Sequence, residues 1–274
     1  MFQDSRINKV LYGGDYNPEQ WPEEIWEEDM RLFKLAGIDE VTLNVFSWAA
    51  LQPSEDTYNF EKLDKIMDLV EANGLKVFLA TSTAAHPAWM AKRHPDILRT
   101  EFSGMKRKFG SRHNSCQNSP TYQKYSVLLA KKLAERYGER ECVIGWHICN
   151  EYGGECYCEN CEKQFRVWLK EKYGTIEEVN RAWNTSFWGH TFYDWDDIVA
   201  PNALGDGIPS DKTCFAGMSI DYRRFMSDSL LRNFTMERDA IRESEAKNPA
   251  ESPEEECRPE AEETAKEEKG DSEK

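Results

Sequence analysis

The sequence predicts an α/β fold of the (β/α)8-barrel, or TIM-barrel, type, and three observations support it. Short runs of β-branched and aromatic residues alternate with amphipathic helical segments, which predicts a parallel sheet. Segments that follow the strands are long and those that follow the helices are short, which favours a barrel over a doubly wound sheet. No Gly-x-Gly-x-x-Gly follows the first strand, so the signature of a dinucleotide-binding fold is missing.

Each predicted helix has an apolar stripe, and most have a start or stop signal. The first begins at Pro22 with Glu23 and Glu24 in its first turn, and it ends at Ala36-Gly37. The predicted strands and the helices that follow them are, in chain order, 10–14 with 22–36, 39–46 with 61–72, 75–81 with 120–137, and 143–148 with 162–173, 176–183 and 219–242.

Charge divides the chain into two predicted parts. The net charge is −15, of which residues 244–274 contribute −7 from 12 acidic and 5 basic residues. We predict that residues 1–243 are the N-terminal portion of a barrel domain and that residues 244–274 are a disordered acidic tail. The acidic balance argues against nucleic acid as the main partner.

The chain shows no sign of a membrane segment or a secretion signal. No apolar run approaches the ~18–20 residues of a membrane helix, and the first residues have no apolar signal core. We therefore expect no membrane partner and a cytoplasmic location. The eight cysteines of such a chain indicate free thiols or a metal site rather than disulfides.

The stretch 143–161 holds the main candidate site. Asn150 and Glu151 follow an apolar strand, and polar residues at strand ends carry the chemistry of α/β barrels. Burial beside Trp146 would raise the pKa of Glu151, which suits a general acid, and Asn150 could donate to a substrate hydroxyl. The alternative is a loop glutamate that faces solvent.

Three cysteines in C-x-C-x-x-C spacing follow directly and indicate a metal site: Cys156, Cys158 and Cys161. We choose Cys116 as the fourth ligand because its loop follows the third strand at the same end of the sheet. Four thiolates with no open position indicate structural zinc, and free loop thiols are the alternative. The other candidates for the fourth ligand are Cys142, Cys149, Cys214 and Cys257, of which the first two look like core residues and the last lies in the tail.

Arg112, in the loop before the Pro120 helix, could clamp sugar hydroxyls or a carboxylate. Its alternative is a surface arginine that pairs with one of the many acids. Tryptophans in the predicted strand-end loops suit the apolar faces of sugar rings.

Seven ordered motifs closely resemble the catalytic barrel of the glycoside hydrolase family 42 β-galactosidases over residues 8–243. They are G-G-D-Y-N-P-E-Q-W-P (13–22), N-V-F-S-W-A-A-L-Q-P (44–53), H-P-A-W (86–89), R-H-N-S-C-Q-N-S-P-T-Y (112–122), W-H-I-C-N-E-Y-G (146–153), C-Y-C-E-N-C (156–161) and W-N-T-S-F-W (183–188). The resemblance implies a TIM barrel that cleaves terminal β-galactosides with retention. Members often form trimers, which implies a homotrimer for the full-length family.

The resemblance also implies roles for individual residues. Glu151 matches the general acid/base, and Asn150 and Arg112 match sugar-binding residues. The residues that match the zinc ligands of many members are Cys116, Cys156, Cys158 and Cys161.

One element of the retaining mechanism is missing from the sequence. Retention needs two carboxylates about 5–5.5 Å apart, one of which is the nucleophile. In this family the nucleophile is a glutamate on a later strand, whereas only about four of eight strand–helix units are present here. We therefore expect a truncated catalytic domain whose isolated chain does not turn over. The alternatives are an inactive sugar-binding fragment and a zinc-organised interaction module.

Overall fold

A computed structural model describes residues 7, 9–206, 213 and 215–247. Its sheet has four parallel strands whose spatial order is their chain order, so the predicted parallel sheet is confirmed. Sequential order is what a barrel requires, since a doubly wound sheet reverses direction at a switch point. The strands are β1 Gly13–Asp15, β2 Glu40–Leu43, β3 Lys76–Ala80 and β4 Val143–His147.

Helices follow the strands as the alternation predicts. The first helix, Trp26–Ala36, ends at Gly37, which adopts the left-handed conformation with φ 72°. The helices are α1 Trp26–Ala36, α2 Trp48–Leu51, α3 Glu61–Ala72, α4 Ala88–Arg93, α5 Pro120–Tyr137, α6 Glu159–Tyr173, α7 Ile176–Trp183, α8 Ala203–Asp206 and α9 Ala216–Lys247. Short 3-10 turns lie at Pro18–Gln20, Glu23–Ile25, Pro95–Ile97, Phe187–Gly189 and Trp195–Asp197.

The last described helix crosses the predicted boundary between domain and tail. α9 continues through Lys247, so residues 244–247 are helical rather than part of a disordered tail. Ser244 is buried, and its hydroxyl donates to the carbonyl of Ala240 at 2.9 Å. The buried stripe of the helix thus extends past residue 243. The predicted disorder of 248–274 lies outside the described residues.

The two largest hydrophobic clusters of the described residues position the site. The larger one packs the sheet against α1, α3 and α5. The smaller one lies in the segment after β4, where Phe165 of α6 packs against Tyr222 and Phe225 of α9. Three of the cysteines, Cys116, Cys156 and Cys161, belong to this smaller core. None of the described helices is long and apolar enough to cross a membrane.

Candidate active site

The strand ends are fixed by three residues in the left-handed conformation. Asn44, Ser82 and Cys149 follow β2, β3 and β4 within two residues and have φ values of 70°, 65° and 59°. Residues other than glycine rarely adopt this conformation, so the surrounding contacts must hold it. Asn44 Nδ2 donates to the carbonyl of Ala80 at 2.9 Å, and the backbone N–H of Ser47 donates to Ser82 Oγ at 3.3 Å. Neighbouring strand ends are therefore tied into one rim.

Glu151 and Arg112 meet at this rim. Arg112 Nη2 lies 2.6 Å from Glu151 Oε2, and the guanidinium lies over the ring of Phe46 at 5.5 Å from its centroid. The two side chains come from the loops after β3 and β4. Sequence reasoning assigned both to the site and did not foresee that they pair with each other.

The expected burial of Glu151 is wrong. Its side chain is 66% exposed, and that of Arg112 is 44% exposed. Positive φ values at Cys149 (59°) and Glu151 (38°) turn the chain away from the apolar strand, so Glu151 emerges beyond the rim. Asn150, between these two residues, is buried with 8% exposure.

Glu237 is a buried acid beneath this loop that sequence reasoning missed. It lies on α9 with 0% exposure, and its carboxyl accepts hydrogen bonds from Thr81 Oγ1 at 2.8 Å and Thr83 Oγ1 at 2.9 Å. Thr81 Oγ1 also accepts the backbone N–H of Cys149 at 2.8 Å. Burial raises the pKa of Glu237 to about 7, against the opposing effect of the two hydroxyls.

A signal for Glu237 does exist in the sequence. The buried stripe of α9 continues through polar residues at helical spacing, among them Ser229, Asn233, Glu237 and Ser244. Polar residues on a buried stripe need partners inside the protein. The partners of Glu237 lie about 155 positions away in sequence, so the stripe alone could not identify them.

The four predicted cysteine ligands come together. Their sulfur atoms all lie within 4.8 Å of one another, and three are fully buried. Cys116 Sγ lies 3.4 Å from the sulfurs of both Cys158 and Cys161, and Cys158 and Cys161 are 3.9 Å apart. Around a tetrahedral zinc with Zn–S bonds of about 2.3 Å, neighbouring sulfurs lie about 3.8 Å apart. The donor set and its spacing therefore fit a zinc ion.

The two other cysteines that the structure describes do not belong to this cluster. Cys142 and Cys149 are buried in the positions expected of small core residues, with 4% and 2% exposure. Cys214 and Cys257 lie outside the described residues.

The cysteine cluster joins the two loops that carry the pair. Cys116 follows Arg112 by four residues, and Cys156 follows Glu151 by five. The segment between α4 and Arg112 is part of the junction. The backbone N–H of Cys116 donates to the carbonyl of Ile97 at 2.7 Å, and that of Thr100 donates to Cys156 Sγ at 3.4 Å. A metal here would hold the two loops in a fixed relation.

Parallel strands in sequential order, with polar side chains gathered at their carboxyl ends, are the arrangement found in α/β barrels. The family model described as β-galactosidase, glycoside hydrolase family 42, matches residues 15–258. The chain therefore belongs to glycoside hydrolase family 42, as the resemblance implied.

Relatives and solved structures agree with this assignment. The chain is 62% identical to β-galactosidase BgaP of Planococcus sp. (strain L4) over 240 residues, which are 87% of this chain and 36% of that protein. It is 50% identical to β-galactosidase LacZ of Lactobacillus acidophilus over 247 residues, 89% of this chain and 37% of that one. A crystal structure of β-galactosidase from Bacillus circulans sp. alkalophilus superimposes with a TM-score of 0.84 at 62% identity, over 86% of this chain and 35% of that one.

The chain thus spans little more than a third of the length of these relatives. A more distant likeness, to the catalytic domain of a Paenibacillus polymyxa β-amylase, has a TM-score of 0.64 at 16% identity and shows the fold alone. The expectation of a partial TIM barrel is confirmed by the four parallel strands and this coverage.

Proposed function

We propose that this chain carries the acid/base and sugar-binding half of a retaining β-galactosidase site. The observation that supports this most is the Arg112–Glu151 pair at the carboxyl ends of the strands. Membership of family 42 supplies the substrate class, since the relatives are named β-galactosidases. The substrate would be a β-galactoside, either a disaccharide or an oligosaccharide.

In the proposed mechanism Glu151 acts twice on the same face of the glycosidic bond. As an acid it protonates the glycosidic oxygen, and as a base it then deprotonates the water that hydrolyses the glycosyl-enzyme. Its side chain is 66% exposed, and we propose that a sugar reaches its carboxyl from the solvent side. Without sugar, the carboxyl is paired with Arg112, and we propose that galactosyl hydroxyls replace part of this contact on binding.

Arg112 and Asn150 would orient the galactosyl ring. A guanidinium presents several donors in one plane, which suits two adjacent hydroxyls, and an amide can both donate and accept. Asn150 is 8% exposed, so only a small part of it is available to a ligand. The buried position fixes its direction, which is what selects one hydroxyl arrangement over another.

We propose further that the nucleophile is not among residues 1–243. Glu237 is a buried acid that is linked to the loop through Thr81, but it is not placed to act on a sugar. It has 0% exposure, and its carboxyl is occupied by the hydroxyls of Thr81 and Thr83. On this proposal the second carboxylate of the retaining pair comes from elsewhere, and we expect no turnover from the isolated chain.

The four thiolates would hold a structural zinc ion with no open position. Zinc supplies no step of the chemistry in this proposal. It joins the loop of Arg112 to the loop of Glu151. A cytoplasmic location and a trimeric full-length protein stay predictions.

Turnover on a chromogenic β-galactoside tests the proposal. We expect none from the isolated chain, together with measurable galactose binding by calorimetry. Turnover that is abolished by Glu151→Gln would show that a nucleophile is present after all. Absence of both turnover and binding would contradict the sugar site and favour the interaction module.

A further inference from the structure

Arg99 is a buried cation between the cysteine cluster and the loop of Glu151. It lies in the segment after α4 and is only 2% exposed. Its Nη2 donates to the carbonyl of Gly153 at 2.8 Å, two residues after Glu151. Its backbone carbonyl accepts from the N–H of Arg107 at 2.8 Å, and its own N–H donates to the carbonyl of Asn114 at 2.9 Å. The arginine is thus anchored on the side of Cys116 and reaches the side of Glu151.

Gly154 gives this guanidinium its space. A Cβ at Gly154 would lie 2.1 Å from Arg99 Nη1 and 3.2 Å from Arg99 Cζ, and the residue has φ +73°. Any side chain would therefore clash with the guanidinium as well as strain the backbone. The chain after Glu151 packs directly on Arg99.

A buried guanidinium needs a nearby negative charge, because an uncompensated charge in the interior is costly. Within the described part of the chain, no carboxylate forms an ion pair with Arg99, and Glu101 pairs with Arg107 instead. Burial lowers the pKa of Arg99, and negative charge on Cys156 and Cys116 opposes that effect. Glu101 contributes in the same direction but less. Thr100, the residue after Arg99, donates its backbone N–H to Cys156 Sγ at 3.4 Å, so the cysteine cluster lies beside Arg99.

We propose that Arg99 is a positioning residue that compensates the charge of the metal-loaded cysteine cluster and fixes the loop 149–154 to it. A divalent metal on four thiolates leaves two net negative charges in a buried site, and Arg99 neutralises one of them. Metal binding and the order of the loop that carries Asn150 and Glu151 are then coupled through one side chain. The proposal rests on the proposed zinc site and deepens the proposed function.

Zinc affinity tests the charge role. The purified chain and its variants are titrated with zinc against a chromophoric chelator. Arg99→Met should weaken zinc binding about 10- to 100-fold, the range seen when a partner of metal ligands is removed. Arg99→Lys keeps the charge and should recover most of the affinity. Arg140→Met is the control, because the side chain of Arg140 is 26% exposed and forms ion pairs with Asp68 and Glu71 of α3.

Amide hydrogen exchange of the peptide 149–154 tests the link to the loop. Zinc removal and Arg99→Met should both accelerate exchange there, and Arg140→Met should not. Arg99→Lys should also accelerate it, since an ammonium cannot reproduce the planar fork that meets Gly153.

Two results would overturn the proposal. One is a zinc affinity of Arg99→Met equal to that of wild type. The other is an amide exchange rate in 149–154 that changes neither on zinc removal nor in Arg99→Met. If circular dichroism shows that Arg99→Met does not fold, the zinc affinity and amide exchange of Arg99→Lys test the proposal instead. Near-native affinity with faster exchange supports the proposal, and unaltered exchange overturns it. No substrate is used, so this result is independent of whether the chain proves to bind or cleave a galactoside.

Discussion

Replacing Glu237 with glutamine should remove the contribution of this acid to the pH dependence of stability. The acid is fully buried, and its two hydrogen-bond partners are the hydroxyls of Thr81 and Thr83 rather than cations. Its charged form is therefore poorly solvated in the folded protein, and its protonated form is favoured. Glutamine has the shape of the protonated acid and carries no charge at any pH.

The pKa of Glu237 sets the direction and the magnitude of its contribution to the pH dependence of stability. Burial raises the pKa of Glu237 from 4.5 to about 7 on folding. Its contribution to stability is fully present below about pH 4.5 and is lost as the pH rises through about 7. At about 1.4 kcal/mol for each pKa unit, the loss over this window is about 3 kcal/mol.

His86 has the opposite effect in nearly the same window. It is 5% exposed, and burial lowers its pKa from 6.5 to about 4. Its contribution is therefore present above about pH 6.5 and is lost as the pH falls through about 4. The contributions of these two buried groups to the free energy of unfolding therefore largely offset each other over this window.

The comparison of variants separates the two groups. Free energies of unfolding are measured by urea denaturation for wild type, Glu237→Gln and the exposed control Glu171→Gln. The stability of Glu237→Gln relative to wild type should rise by about 3 kcal/mol between pH 4.5 and pH 8, while Glu171→Gln follows wild type. A constant difference between Glu237→Gln and wild type across this range would refute the reasoning.

Three further outcomes are expected. Metal analysis should find about one zinc per chain in wild type and none in Cys161→Ser. Zinc retained by Cys161→Ser would contradict the proposal that the four cysteines bind it. Gly145→Ala should destabilise the chain by about 1–3 kcal/mol in urea denaturation, because its Cβ would lie 2.6 Å from the ring of Phe78; unchanged stability would contradict the close approach. Tyr222→Phe should cost about 1 kcal/mol in the same assay, since the hydroxyl donates to the carbonyl of Cys156 at 2.6 Å; no loss would show that this buried hydrogen bond contributes nothing net.

Local signals predicted the helices well. α3 and α7 have the predicted bounds, and α5 runs from Pro120 to Tyr137, because proline, capping residues and asparagine or glycine act within one turn. The strands are shorter than predicted. β2, β3 and β4 end before the apolar runs do, whereas β1 begins three residues later and ends one residue later than predicted. β2, for example, ends at Leu43, where the left-handed Asn44 leaves the sheet.

The candidate site was predicted in part. Spacing and loop position were enough to choose Cys116, because strand ends of a parallel sheet meet at one edge. The exposure of Glu151 depends on backbone dihedrals, which leave no periodic pattern in the sequence. Helical spacing places Glu237 on the buried stripe of α9, but it does not identify the partners of Glu237, which lie in a distant segment.

Galactose binding by Arg112→Met most directly tests the claim that this chain holds the sugar-binding and acid/base half of the site. Arg93→Met is the matched control, because Arg93 forms a partly exposed ion pair with Glu55 at 3.1 Å. A hydrogen bond to a charged group is worth about 1.5–3 kcal/mol, so Arg112→Met should weaken binding by at least about 10-fold in calorimetry. Arg93→Met should bind as wild type does. Equal binding by Arg112→Met and wild type would contradict the claim.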